Sequence, residues 1–67
     1  MKRRTIHYRS RSGAPRRVRL GPALAAAVNP HDAQQIHDGI TAATGTEPGW
    51  QQVQASLEKL AKQRLGK

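Results

Sequence analysis

Eight cationic side chains crowd the first twenty residues of this 67-residue chain: Lys2, Arg3, Arg4, Arg9, Arg11, Arg16, Arg17 and Arg19, with no Asp or Glu among them. From Gly21 onward four basic and four acidic residues cancel, so the formal charge of +8 resides in that one segment. Seven of the eight are arginine. The guanidinium fork makes bidentate contacts with phosphate and with guanine edges and stacks on bases, none of which an ammonium does. Solvated protein faces mix both signs, so an acid-free run of this density points to an anionic partner. His7 lies among the arginines as a further hydrogen-bond donor.

Other chemistry finds little support. His7, His31 and His37 are the only imidazoles, no two are spaced i,i+4, and there is no Cys, so no metal site is expected. His31, Asp32, His37 and Asp38 lie close in sequence, but no phosphate-cradling Gly-rich loop, nucleophile elbow or paired-carboxylate spacing accompanies them. Neither an enzyme nor a cofactor is expected in so short a chain. With one Tyr and one Trp, the several stacking aromatics of a single-strand-binding surface are missing. Tyr8 and Trp50 both read as core residues, Tyr8 in line with Ile6 and Trp50 in phase with Val53 and Leu57.

The basic segment needs a scaffold, and its own pattern supplies one. Ile6 and Tyr8, and again Val18 and Leu20, alternate with polar residues at the strand period of two. Between the runs, Arg11-Ser12-Gly13-Ala14-Pro15 carries turn residues. Residues 5–10 and 16–20 are thus expected to pair as an antiparallel β-hairpin. Parity demands that Ile6, Tyr8, Val18 and Leu20 share one face. A five-residue loop would pair Tyr8 with Val18, a three-residue loop Gly13-Ala14-Pro15 would pair Tyr8 with Leu20, and either sets Arg9 across from Arg17 or Arg19. His7, Arg9, Arg17 and Arg19 then form an outer reading face, with Arg3, Arg4, Arg11 and Arg16 on flanking phosphates. Like charges directly opposed weaken a ladder, so such a face does not serve stability.

Helical signals fill the remainder. Gly21-Pro22 ends the hairpin (residues 1–20) and starts a short helix over 22–28. Asn29 as N-cap, Pro30 at the first position and Asp32 in the first turn open a second over 30–44, with Ala33, Ile36, Ile40 and Ala43 on one stripe. Gly39 inside it implies a close neighbouring backbone. Gly45 is a C-terminal cap, and Thr46, Glu47 and Pro48 begin a third helix over 47–65, with Trp50, Val53, Leu57, Leu60, Ala61 and Leu65 at threes and fours. Lys59, Lys62 and Arg64 suit its C-terminal dipole, and Glu58 is spaced to pair with Lys62. The fold class expected is α+β, one domain over 1–67: an N-terminal basic antiparallel β-hairpin packed on two or three short helices, the last two an αα-hairpin.

The stretch Ile40-Thr41-Ala42-Ala43-Thr44-Gly45, followed by Val53, Leu57, Leu60 and Leu65-Gly66, resembles the middle of a winged helix-turn-helix domain over about 27 residues. That resemblance implies nucleic-acid binding by a helix-and-wing unit, with the basic hairpin as the wing. The chain departs from the pattern in three ways: about two extra residues follow the turn glycine, no basic residue precedes Lys59 in the last helix, and the hairpin comes first.

Size and hydropathy bound the rest. A core of about a dozen large apolar residues in so short a chain supplies only about 3–5 kcal/mol, which makes a homodimer or ordering on a partner possible. The longest apolar run, Ala23 to Val28, is far short of the ~20 residues of a membrane span. The Arg-rich start shares its composition with a mitochondrial transit peptide, against which the strand alternation and turn count. The expectation is a small nucleic-acid-binding regulator of a bacterial cytoplasm or phage-infected host. The rival is a protein-binding inhibitor or adaptor that sets the same hairpin against an acidic surface of a nucleoprotein machine such as RNA polymerase.

Overall fold

A computed structural model describes residues 3–66 of the chain, and Lys2 of the basic set lies outside them. Two strands, β1 (Arg4–Arg9) and β2 (Pro15–Leu20), precede three helices, α1 (Pro22–Ala25), α2 (Pro30–Thr44) and α3 (Trp50–Leu65). The strands form one antiparallel two-stranded sheet. The α+β class and the N-terminal hairpin are as expected.

The parity of the hairpin also holds, but its register is two residues from the nearer alternative. Ile6 pairs with Val18, Tyr8 with Arg16 and Arg9 with Pro15. The turn explains the difference. Ser10 donates its amide to the Ala14 carbonyl at 3.0 Å and accepts the Gly13 amide on its own carbonyl at 2.8 Å, which closes a three-residue loop Arg11-Ser12-Gly13. Gly13 takes φ 88, the left-handed conformation that such a loop needs at its last residue. Buried Ser10 also accepts the Ala14 amide on Oγ at 3.2 Å. Pro15 thus belongs to the strand rather than to the loop. Its missing N–H costs nothing there, because Arg9↔Pro15 falls at a wide pair whose main-chain groups point away from the partner strand. The Arg19 amide, in phase with Pro15, confirms that direction by donating outward to Gln54 Oε1 at 3.2 Å.

Helix α1 is shorter than the expected 22–28. After Ala25 the chain tightens, with Ala27 bonded back to Leu24 at 3.0 Å and Val28 to Ala25 at 3.5 Å, the i→i+3 pattern of a fraying last turn. Helix α2 begins where Asn29 places it. Asn29 Oδ1 accepts the Asp32 amide and Asp32 Oδ2 accepts the Asn29 amide, both at 3.0 Å, a reciprocal capping box. It ends at Gly45, φ 78. Helix α3 starts at Trp50, not at 47, with Gly49 as its N-cap. Pro48 is buried outside the helix and its carbonyl is bonded to Arg16, while Thr46 hydrogen bonds with Thr44 instead of capping α3.

Helix α2 packs on β1 and α3 on β2, so both cover the inner face of the sheet. Val53, Leu57 and Ala61 of α3 and Ala33 of α2 are fully buried with Ile6, Tyr8, Val18 and Leu20. Arg64 at the end of α3 reaches Asp32 at the start of α2 at 2.8 Å, which sets the two helices antiparallel. Three expectations fail here. Gly39 has nothing within 4 Å of where a Cβ would sit, so no neighbouring backbone requires it. Glu58 turns to Arg3 at 3.8 Å rather than to Lys62. Trp50 and Leu65, at the two ends of α3, are each 53% exposed rather than in the core.

Candidate nucleic-acid interface

Strand alternation turns Thr5, His7, Arg9, Arg17 and Arg19 onto the outer face of the sheet, where all five are exposed. Across the ladder Thr5 faces Arg19, His7 faces Arg17 and Arg9 faces Pro15. Arg9 is therefore not opposed to Arg17 or Arg19, and the register avoids the direct arginine pair that either expected loop would create. Arg9 Nη1 donates to the Gly13 carbonyl at 3.0 Å, which ties that side chain to the turn.

The flanking arginines divide into two groups. Exposed Arg4 sits at the sheet's end, and exposed Arg11 on the turn donates its amide to Asp38 Oδ1 at 3.0 Å. Arg16 and Arg3 are engaged by the protein itself. Arg16 lies on the inner face opposite Tyr8, half-buried, with Nη2 on the Pro48 carbonyl at 3.0 Å. It fastens the hairpin to the segment before α3. Its even position in the strand, in phase with Val18 and Leu20, was the sequence signal for this inward direction. Arg3 bridges the Arg19 carbonyl at 3.3 Å and Glu58 at 3.8 Å.

The four carboxylates of the chain are engaged elsewhere. Asp32 pairs with Arg64, Glu58 with Arg3 at the rim, and Asp38 and Glu47 lie 3.5 and 3.7 Å from the two ring nitrogens of His37. Among the described residues none pairs with Arg4, Arg9, Arg11, Arg17 or Arg19, so the positive field of the outer face is not neutralised.

Hollows adjoin that face around Arg17 and Arg19. One, about 180 Å³, is formed by Thr5, Arg17 and Arg19. Another, about 290 Å³, lies at the β2 edge between Arg17, Val18 and Arg19 on one side and Trp50 on the other. Trp50 was expected in the core. Its position in the first turn of α3, straight after the Pro48-Gly49 break, was the signal that it stands at the end of the packed stripe.

At the opposite corner His37 is buried edge-on to Tyr8, ring centroids 5.8 Å apart. Tyr8 Oη and His37 Nε2 have no hydrogen-bond partner among the described residues. Burial pushes the Tyr8 phenol up, and the charge of nearby Arg16, which makes no hydrogen bond to Oη, partly opposes it. Among the described residues no three His, Asp or Glu side chains converge as metal ligands. Among the described residues no helix is long and apolar enough to cross a membrane. The chain matches no protein-family model, no curated protein and no solved structure.

Proposed function

We propose that this chain is a small nucleic-acid-binding regulator of a bacterial or phage-infected cytoplasm and uses the outer face of its hairpin to hold phosphates. The observation that carries the reading is the exposed set Arg9, Arg17 and Arg19 with His7, unopposed by any carboxylate and flanked by Arg4 and Arg11. The register sets no two arginines directly opposite, but Arg17 and Arg19 are neighbours on one face of β2 and Arg9 is diagonal to Arg17, and an anionic partner relieves the repulsion among them. A two-stranded ribbon also has the dimensions to lie along a nucleic-acid groove or strand.

The test is the salt dependence of binding. Each neutralised phosphate contributes about −0.9 to the slope of log K against log salt on duplex DNA and about −0.7 on a single strand. Contacts from the five arginines that no described carboxylate pairs with predict a slope of about −4.5 or about −3.5 respectively. Replacing Arg9, Arg17 and Arg19 by Ala should reduce the slope by about 2 to 3, whereas Lys59→Ala and Lys62→Ala on the far end of α3 should leave it unchanged. A flat salt profile, or a triple variant that binds as the parent does, sinks the reading. Capture of an acidic protein without affinity for DNA or RNA would favour the adaptor function instead.

A further inference from the structure

We propose, resting on the nucleic-acid reading above, that the cleft between Trp50 and strand β2 is a stacking site for one unpaired base, so that the ligand is a single-stranded or looped nucleic acid. The position of the indole is fixed by its helix. Trp50 and Gln54 are i,i+4 neighbours on one face of α3. Gln54 Oε1 accepts the outward Arg19 amide at 3.2 Å, which clamps that face against the β2 edge. One turn earlier, Trp50 therefore stands beside Arg17, and the two form the walls of the cleft with Val18 and Arg19.

Three features of the cleft fit a base. Trp50 leaves 53% of its surface exposed in a chain whose core has few large apolar residues, so an apolar ring has been kept out of a core that could use it. Among the described residues the only ring contact is between Tyr8 and His37, which leaves the indole unstacked. At about 290 Å³ the cleft takes a single planar ring system rather than a run of them.

Arg17 and Arg19 also line the hollow on the outer face next to Thr5, so one pair of side chains serves both surfaces. A strand whose phosphates lie over Thr5, Arg17 and Arg19 brings its neighbouring base to the sheet edge where Trp50 waits. In a duplex the base rings are stacked within the helix and cannot reach an indole at the rim. Arginine beside an aromatic adds the stacking and charge that make such contacts tolerant of base identity.

The experiment measures binding of an oligo(dT) strand, an oligo(U) strand and a DNA duplex of the same length, at one salt concentration, by anisotropy of the labelled nucleic acid and by fluorescence of Trp50, the only Trp in the chain. The single strands should bind more tightly than the duplex and quench Trp50. Trp50→Ala should lower single-strand affinity by about 5- to 150-fold, the loss of one base–aromatic stack, and leave duplex affinity unchanged. Trp50→Phe should retain most of the affinity. Absence of quenching in the parent protein, or equal affinity of Trp50→Ala and the parent for single strands, would overturn the stacking site. If Arg17→Ala with Arg19→Ala still weakened all binding in that case, the basic-face reading would stand without it. No affinity for any of the three probes at low salt would overturn both.

Discussion

At the scale of single residues, the arginines are distinguished by what each meets. Arg17 and Arg19 project into solvent, Arg16 is spent on the Pro48 carbonyl, and Arg64 makes the most complete contact in the chain. Its Nη1 donates to Asp32 Oδ2 and to the Ala27 carbonyl, both at 2.8 Å, and its Nη2 donates to Asp32 Oδ1 at 3.2 Å. The Arg64 guanidinium foremost, and the Asn29 amide behind it, hold the Asp32 carboxyl below its usual range against the opposing effect of burial. A carboxyl with a lower pKa folded than unfolded adds stability above the unfolded value, about 3.9, and that stability is lost as pH falls through the folded value. Asp32→Asn should therefore lower the urea midpoint near neutrality and make the decline in stability below about pH 4 shallower than in the parent. Acid limbs that ran parallel would show that Asp32 does not titrate with folding.

At the scale of elements, each boundary follows from a local competition for main-chain groups. The three-residue loop wins because Ser10 and Gly13 satisfy it and because Pro15 needs no ladder bond at a wide pair. Helix α2 is fixed at both ends, by the Asn29–Asp32 box and by Gly45, but carries Gly39 on an exposed, unobstructed turn. Gly39→Ala should therefore stabilise the fold by up to about 1 kcal/mol, since the helix gains propensity and the added methyl meets nothing. The midpoint and slope of urea unfolding decide it. A loss of stability would mean that a neighbour does approach Gly39.

At the scale of the whole molecule, three helices, the first a single short turn, and a two-stranded ribbon enclose one thin core. Leu57 lies at its centre with no exposed surface, and its truncation to Ala should cost about 2–5 kcal/mol, comparable with the whole stability of a chain this size. Trp50→Ala, half exposed at the rim, should cost about 1 kcal/mol or less. Thermal unfolding followed by circular dichroism separates the two. Equal losses would place Trp50 in the core and remove the open cleft beside it.

What the amino-acid order determined by itself is the part governed by short-range rules. Alternation assigned Ile6, Tyr8, Val18 and Leu20 to one face, Asn29-Pro30 and Gly45 bounded α2, and the acid-free run concentrated the charge on the hairpin. The register, by contrast, depended on the Ser10 side chain and on which pairs point outward, neither of which parity can see. The partners of Arg3 and Arg16, Glu58 and the Pro48 carbonyl, lie 55 and 32 positions away along the chain and are brought beside them only by folding. Trp50 shares the phase of Val53 and Leu57, and periodicity alone treats the three alike. Only the tertiary structure decided between core and surface, because it sets Trp50 beside Arg17, Val18 and Arg19 of strand β2 with half of its surface still open to solvent.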